Sequence, residues 1–151
     1  MYNIELMIQN MARHVWGRRA IAVSPDAPGT YEDLVQHING LGPDSPILIF
    51  DGGNDDTVYE AEWTNVCFRA WHDWCHYTGG FDFSPEGERQ AVEMQCRMLV
   101  THYGINATTL AACALLRAEV VGQAAYFAYT GDFPKNQRAF MHKYLQEKFA
   151  A

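Results

Sequence analysis

Apolar side chains at Ile4, Met7, Ile8, Met11 and Val15 recur at the three- and four-residue spacing of one helix face, which predicts an amphipathic first helix over Ile4 to Trp16, stopped by Gly17. Ala20 to Val23 is a short apolar run ahead of Ser24-Pro25-Asp26-Ala27-Pro28-Gly29, a turn-rich stretch that no helix can cross. Thr30 then offers a cap with Asp33 three residues on, opening a second helix that ends at Gly40 or Gly42. Pro46 to Phe50 is a short apolar strand, broken by the glycine- and aspartate-rich run Asp51 to Asp56. Two such strands flanking one helix can pair in parallel, but so small a sheet must lean on helices.

From Thr57 onward the pattern is helical, interrupted at Thr78-Gly79-Gly80, Tyr103-Gly104 and Thr130-Gly131. The expected helices are Val58 to Tyr77, Pro85 to Tyr103, Ala107 to Tyr129 and Pro134 to Phe149. Two starts are sharply marked: Ser84 caps a helix with Pro85 at its first position, and Asn106 caps the next. The expectation is a mainly α fold, a single-domain helical bundle over residues 1–151 with about five to six helices, and a short two-stranded β element in the N-terminal third.

Composition narrows the functions. A length of 151 residues suits one domain, and a hydrophobic share of 48% supplies a real core. A net charge of −7 argues against a nucleic-acid binder, which needs clustered Lys and Arg. Cys67, Cys75, Cys96 and Cys113 form no CxxC pair and fall in helical segments, so they read as small buried apolar residues rather than as a zinc knuckle or disulfide framework. The first residues lack the layout of a signal peptide and no apolar run of about 20 residues stands out, so no membrane partner and a cytoplasmic setting are expected.

Candidate chemistry concentrates in Phe68-Arg69-Ala70-Trp71-His72-Asp73-Trp74-Cys75-His76. Glu62, Arg69 and His76 stand at seven-residue steps, with Asn65, His72 and Asp73 between them on the same side and Trp63, Cys67, Ala70, Trp71 and Trp74 on the other. Such a stripe is either a solvated face or one wall of a site; its lack of lysine and wealth of His, Asn, Asp, Glu and Arg favour the site. On the next helix Glu88, Gln95 and His102 repeat the seven-residue step among apolar neighbours. The helix after that is nearly all apolar, with Arg117, Glu119 and Gln123 as its interior polar side chains, and buried charges there must be paired or bound.

Three helices thus bring carboxylates, amides and histidines toward one centre. His72 and His76 at i and i+4 can ligate one divalent metal (Zn, Mn or Fe) from a single helix face, with Asp73 as a third ligand or with Glu88 or Glu119 completing the shell. Glu88 and Glu119 serve as further ligand or general base, with Glu62, Arg69, Gln95, His102, Arg117 and Gln123 in support. The competing reading is a buried salt-bridge network, Arg69 and Arg117 with Glu88 and Glu119, that holds no metal.

The segment FRAWHDWCHYTGGFDFSPEGERQA, with EMQCR and LLRAEVVGQAAYF, resembles small uncharacterised proteins encoded by tailed phages. His72-Asp73-Trp74-Cys75-His76 followed by Gly87-Glu88 also looks like the HD-x-x-H and Gly-Glu elements of HD-type phosphohydrolases. That resemblance implies a divalent metal on His72 and Asp73 that activates water against a phosphate ester, with His37 and Asp132 as the nearest counterparts of the remaining ligands. Two functions follow as expectations. One is a metal-dependent hydrolase of a phosphate-containing small molecule, with a di-iron or di-manganese oxidoreductase as a variant using Glu62, Glu88 and Glu119. The other is a non-enzymatic phage protein that binds a protein partner, through aromatic side chains such as Tyr126, Phe127, Tyr129 and Phe133, while the polar centre only fixes helix packing.

Overall fold

A computed structural model describes residues 2–52 and 57–150; the expected strand-breaking run is followed to Gly52, and its members Gly53 to Asp56 lie outside the described residues. The chain order is α1 (Tyr2–Trp16), β1 (Ile21–Val23), α2 (Tyr31–Asn39), β2 (Ile47–Ile49), α3 (Glu62–Gly79), α4 (Pro85–Tyr103), α5 (Ala107–Arg117), a π-helical turn (Ala118–Gly122), α6 (Gln123–Thr130) and α7 (Gln137–Ala150). The mainly α bundle with one small parallel sheet is the architecture that the apolar spacing foretold.

Local chemistry sets most boundaries. Gly17 adopts φ +62°, a conformation that costs glycine little, and its N–H closes α1 on the Arg13 carbonyl at 2.8 Å. The Thr30, Ser84 and Asn106 side chains accept from the N–H groups of Asp33, Gly87 and Thr109, at 3.1, 3.1 and 3.0 Å. Two starts differ from expectation. α3 begins at Glu62 rather than Val58, because the carbonyls of Thr57 and Tyr59 turn out to accept from the Arg138 guanidinium at 2.8 and 3.0 Å. α7 begins at Gln137 rather than Pro134, because Asn136 is the cap, its side chain accepting from the Ala139 N–H at 2.8 Å.

β1 and β2 pair in parallel, Ile21 with Ile47 and Val23 with Ile49, joined through α2. The pair is tied down from outside: Trp16 donates from its indole to the Ala70 carbonyl at 2.8 Å, and Arg19 donates to the carbonyls of Gly42 and Ser45. Ile47 and Ile49 pack with Val66 and Ala70 of α3 in a small core of their own. The main core joins Met7, Ile8, Met11, Phe68, Trp71, Cys75, Val92, Cys96, Leu99, Cys113 and Leu116, drawn from α1, α3, α4 and α5. All four cysteines are free and buried.

α3 is the central element, packing against α1, α4, α2 and both strands. That position overturns the two-sided reading of the helix. Trp63, assigned to the apolar side, is 47% exposed, Trp74 is half-buried, and Asn65 and His76 of the polar side are buried. Helix α5, the π turn and α6 run on without a break as a 24-residue helix from Ala107 to Thr130, whose most apolar window reaches a mean hydropathy of 1.3. By length and composition it is long enough to cross a membrane, whereas the sequence reading took it as a nearly all-apolar helix with no run of membrane-spanning length; half of that window is buried within the fold.

Candidate metal centre

The last two turns of α3 deliver His72 and His76 toward α4. His72 and His76, four residues apart on one face, meet Glu88 and Gln95 of α4, themselves seven apart on theirs. The loop between the helices fixes how closely they meet. Gly80 closes α3 in the left-handed region at φ +68°, and Ser84 caps α4. Gly87 is buried against the loop so tightly that a Cβ there would lie 1.9 Å from the Asp82 carbonyl oxygen. Only glycine lets the first turn of α4 come this near, and Glu88 is the next residue.

Three donor atoms converge there. His72 Nε2 lies 2.9 Å from Glu88 Oε2, His76 Nε2 lies 3.0 Å from His72 Nε2, and His76 Nε2 lies 3.3 Å from Glu88 Oε2. Around a tetrahedral ion with bonds of about 2.0–2.1 Å, neighbouring ligand atoms sit about 3.3 Å apart, and around an octahedral one about 3 Å. The triangle therefore has the size of one face of either coordination shell, and His72, His76 and Glu88 form a group that could hold a metal ion.

The outer nitrogens support the same orientation. His76 Nδ1 donates to the Phe81 carbonyl at 2.8 Å, and since a carbonyl only accepts, the His76 Nε2 lone pair is turned to the centre. His72 Nδ1 donates to Gln95 Oε1 at 2.9 Å, a fully buried amide that holds its ring the same way. Imidazoles pinned through Nδ1 to an oxygen are the usual arrangement of metal-ligating histidines. Phe68 stacks on His72 at 5.7 Å between ring centres and Phe83 meets His76 edge-on at 4.8 Å, so the rings have little room to turn.

Without a metal, a proton has to fill the centre, because three lone pairs cannot face one another at these distances. Burial works to lower the pKa of His72, but the hydrogen bond and charge of Glu88, with help from Gln95 and Asp73, raise it overall. The same contacts act on Glu88: burial pushes its carboxyl up, and the bonds to His72 and His76 bring it down to about 2. His72 as the proton carrier, shared toward Glu88 and His76, accounts for both directions. The side chains of His76, His72 and Glu88 are 1%, 12% and 27% exposed, so the centre opens to solvent on the Glu88 side.

Asp73 lies beside this group without belonging to its converging atoms. Its carboxylate is half-buried and makes no hydrogen bond or ion pair among the described residues. Burial raises its pKa to about 6 against the opposing pull of His72 and His76.

The other expected site residues part company. Glu119 is buried in the π turn, bonded to Gln123, with Oε2 unpartnered among the described residues. Burial lifts its carboxyl to about 7 although the Arg69 charge opposes this. Arg69 itself donates to the carbonyls of Phe50 and Gly52 at 3.0 and 2.6 Å. Arg117 does not join a network with Glu88 or Glu119: a residue on the outer side of α5, it forms a two-pronged pair with Glu93 at 2.7 and 3.0 Å. Glu62 is exposed in the first turn of α3. His102, seven residues and about 10 Å beyond Gln95, is exposed beside His14. The two outlying counterparts in the HD-type comparison have local jobs: His37 Nε2 accepts from the Leu48 N–H of β2 at 3.1 Å, and Asp132 Oδ1 accepts from the Phe133 N–H in an exposed turn. Phe81, whose carbonyl anchors His76, escaped the sequence reading; a backbone acceptor leaves no mark in side-chain spacing.

Comparison with protein-family models, with curated proteins and with solved structures finds no match to this chain.

Proposed function

We propose that this protein is a metal-dependent hydrolase whose divalent cation is held by His72 Nε2, His76 Nε2 and Glu88 Oε2. One observation carries the reading: three donor atoms of borderline and hard character form a triangle of 2.9–3.3 Å, with both imidazoles pinned through Nδ1 so that their lone pairs meet. Two histidines and one glutamate make up a ligand set that catalytic zinc uses, leaving a position for water, and a cation so bound brings the pKa of that water toward neutrality. Zinc is the metal this set suits best. Asp73 is the base in our reading. It follows His72 directly on the same helix, is half-buried beside both imidazoles, and has no other partner among the described residues. Helical metal motifs of the form His-acid-x-x-His place their base at this position. Phosphate esters are the substrate class to try first, because the HD-like segment implies them.

The test is metal content and hydrolysis measured on the same preparations. We expect one equivalent of zinc in the purified protein and turnover of a phosphate ester. Glu88→Gln should lose both, whereas Asp73→Asn should keep the metal and lose about 10²–10⁴ in rate. A protein that binds no zinc at micromolar concentration, or a Glu88→Gln variant that hydrolyses as well as the parent, would sink the proposal. The protein-binding reading rests on a different observation. Helix α6 buries none of its residues and carries no charge, with Tyr126, Phe127 and Tyr129 exposed. It becomes the better account if the metal assay fails.

A further inference from the structure

Two of the buried cysteines face each other where α4 packs on α5. Cys96 stands in α4 and Cys113 in α5, 3% and 2% exposed, and each Sγ lies 3.8 Å from the carbonyl oxygen of the other residue. That reciprocity brings the two main chains close together at this crossing, as a disulfide with Cα atoms about 4.4–6.8 Å apart requires. The two thiols are also within hydrogen-bond reach of one another. One turn away the helices meet again through the pair of Arg117 and Glu93, which follow Cys113 and precede Cys96 as antiparallel helices demand. The other two cysteines have no such neighbour. Cys75 Sγ lies against Met98 Sδ at 3.9 Å, and Cys67 makes no hydrogen bond to another described residue.

We propose that Cys96 and Cys113 are a reversible redox pair, which a peroxide oxidises to a disulfide joining α4 to α5. Cys113 is the sulfur that reacts first. The Cys96 thiol hydrogen-bonded to it favours its thiolate and lowers its pKa; burial opposes this and the Arg117 guanidinium assists it. The same hydrogen bond raises the pKa of Cys96, which keeps its proton. Burial instead pushes the Cys67 thiol up to about 11 and raises that of Cys75 as well. The Cys113 thiolate attacks one oxygen of hydrogen peroxide, an S–O bond forming as the O–O bond breaks, which leaves a sulfenic acid and hydroxide. The Cys96 sulfur then attacks the Cys113 sulfur. The S–S bond forms, the S–O bond breaks, and the departing hydroxide takes the Cys96 proton and leaves as water. In sum the two thiols pass two electrons and two protons to one peroxide, which becomes two waters. A cavity of about 320 Å³ with Glu93, Ala114 and Arg117 in its wall adjoins this turn and gives a small oxidant its approach. None of this rests on the hydrolase reading of His72, His76 and Glu88.

The experiment treats the reduced, full-length protein with a molar excess of hydrogen peroxide, alkylates the remaining thiols, and reads intact mass and a peptide map. We expect two of the four cysteines to escape alkylation, a loss of about 2 Da from their bridge, one cross-linked peptide pair joining Cys96 to Cys113, and the return of all four thiols on adding dithiothreitol. The Cys67→Ser/Cys75→Ser variant should form the same bridge. Cys96→Ala should stop at a Cys113 sulfenic acid that dimedone traps, whereas Cys113→Ala should give neither bridge nor adduct at Cys96. The peptide map of the parent decides the matter even if a variant folds poorly. The proposal is overturned if the parent keeps all four thiols, if the bridge joins any other pair of cysteines, if it forms only in urea-unfolded protein, or if Cys113 is oxidised beyond the sulfenic acid with no bridge.

Discussion

Two carboxylates in this protein, Glu88 half-buried and Glu119 buried, stand in opposite circumstances. Glu88 has both partners it needs: two imidazoles reach its Oε2 and hold its pKa down to about 2. Glu119 is the more deeply buried, has an oxygen without a partner among the described residues, and its pKa is pushed up to about 7. Arg69 is the cation within its electrostatic reach, and the same guanidinium is spent on the carbonyls of Phe50 and Gly52. The difference teaches that burial alone does not make a site. The Glu88 carboxylate is preorganised as a ligand, since the protein has already assembled the charges around it, whereas the Glu119 carboxylate is a strained guest whose comfortable state at neutral pH is close to the acid form.

The largest effect expected from this contrast is on the pH dependence of stability. Glu119 has a folded pKa of about 7 against an ordinary 4.5, so the folded state holds its proton more tightly than the unfolded one. Stability from this group is full below 4.5 and is lost as pH rises toward 7, a swing of about 3 kcal/mol for a shift of this size. Glu119→Gln keeps the shape and removes the charge, so urea unfolding at pH 8 should show the variant more stable than the parent, with the gap closing at pH 4. Equal stability of the two proteins at pH 8 would mean that Glu119 is solvated or paired after all. Glu88 has the reverse sign: its contribution is present above 4.5 and is lost as pH falls toward 2.

Metal should separate the same two residues. Zinc at about a hundred times its dissociation constant stabilises a protein that binds it only when folded by about 2.7 kcal/mol. We expect that increment in the parent and in Glu119→Gln, and its absence in Glu88→Gln, read as a shift in thermal midpoint. Zinc stabilising Glu88→Gln as it does the parent would remove Glu88 from the ligand set. Binding should also weaken as pH falls through the raised pKa of His72, because the metal has to displace the proton held there.

Much of this was legible in the chain. The spacing His72-x-x-x-His76 and the seven-residue step from Glu88 to Gln95 placed these four side chains on facing helices, because helical periodicity dictates which side chains share a face. What spacing does not carry is how far a shared face extends. His102 continues the same step, yet lies at the other end of a helix whose partner there is α1, and so joins His14 instead. Nor could a two-sided wheel describe α3, since a helix surrounded by neighbours buries polar and apolar sides alike, Asn65 and His76 as fully as Trp71. The π turn at Ala118–Gly122 was also invisible, an apolar run reading the same in α and π form.

Gln95 offers a finer cut. Its Oε1 accepts the His72 Nδ1 proton, and its Nε2 has no partner among the described residues. Gln95→Leu keeps the volume and frees the His72 ring, so zinc affinity should fall by about 10–100-fold with the fold intact. Gln95→Glu supplies a stronger acceptor at the same position and should restore binding. An unchanged dissociation constant in Gln95→Leu would show that Phe68 stacking alone holds the ring.

The smallest expected effect concerns Arg117, the residue that the competing reading of the sequence placed in a buried network with Glu88 and Glu119. Its pair with Glu93 has good two-pronged geometry, but the side chains are 48% and 31% exposed. The hydrogen bonds to Glu93 raise the Arg117 pKa, which at so exposed a position converts into little stability once solvent and salt screen it. Arg117→Ala should therefore cost under about 1 kcal/mol in urea unfolding, less still at high salt, and leave zinc affinity untouched. A loss of several kcal/mol, or a coupled loss of metal, would return Arg117 to the interior network. The contrast would then lie between two halves of one charged core rather than between a metal centre and an isolated carboxylate.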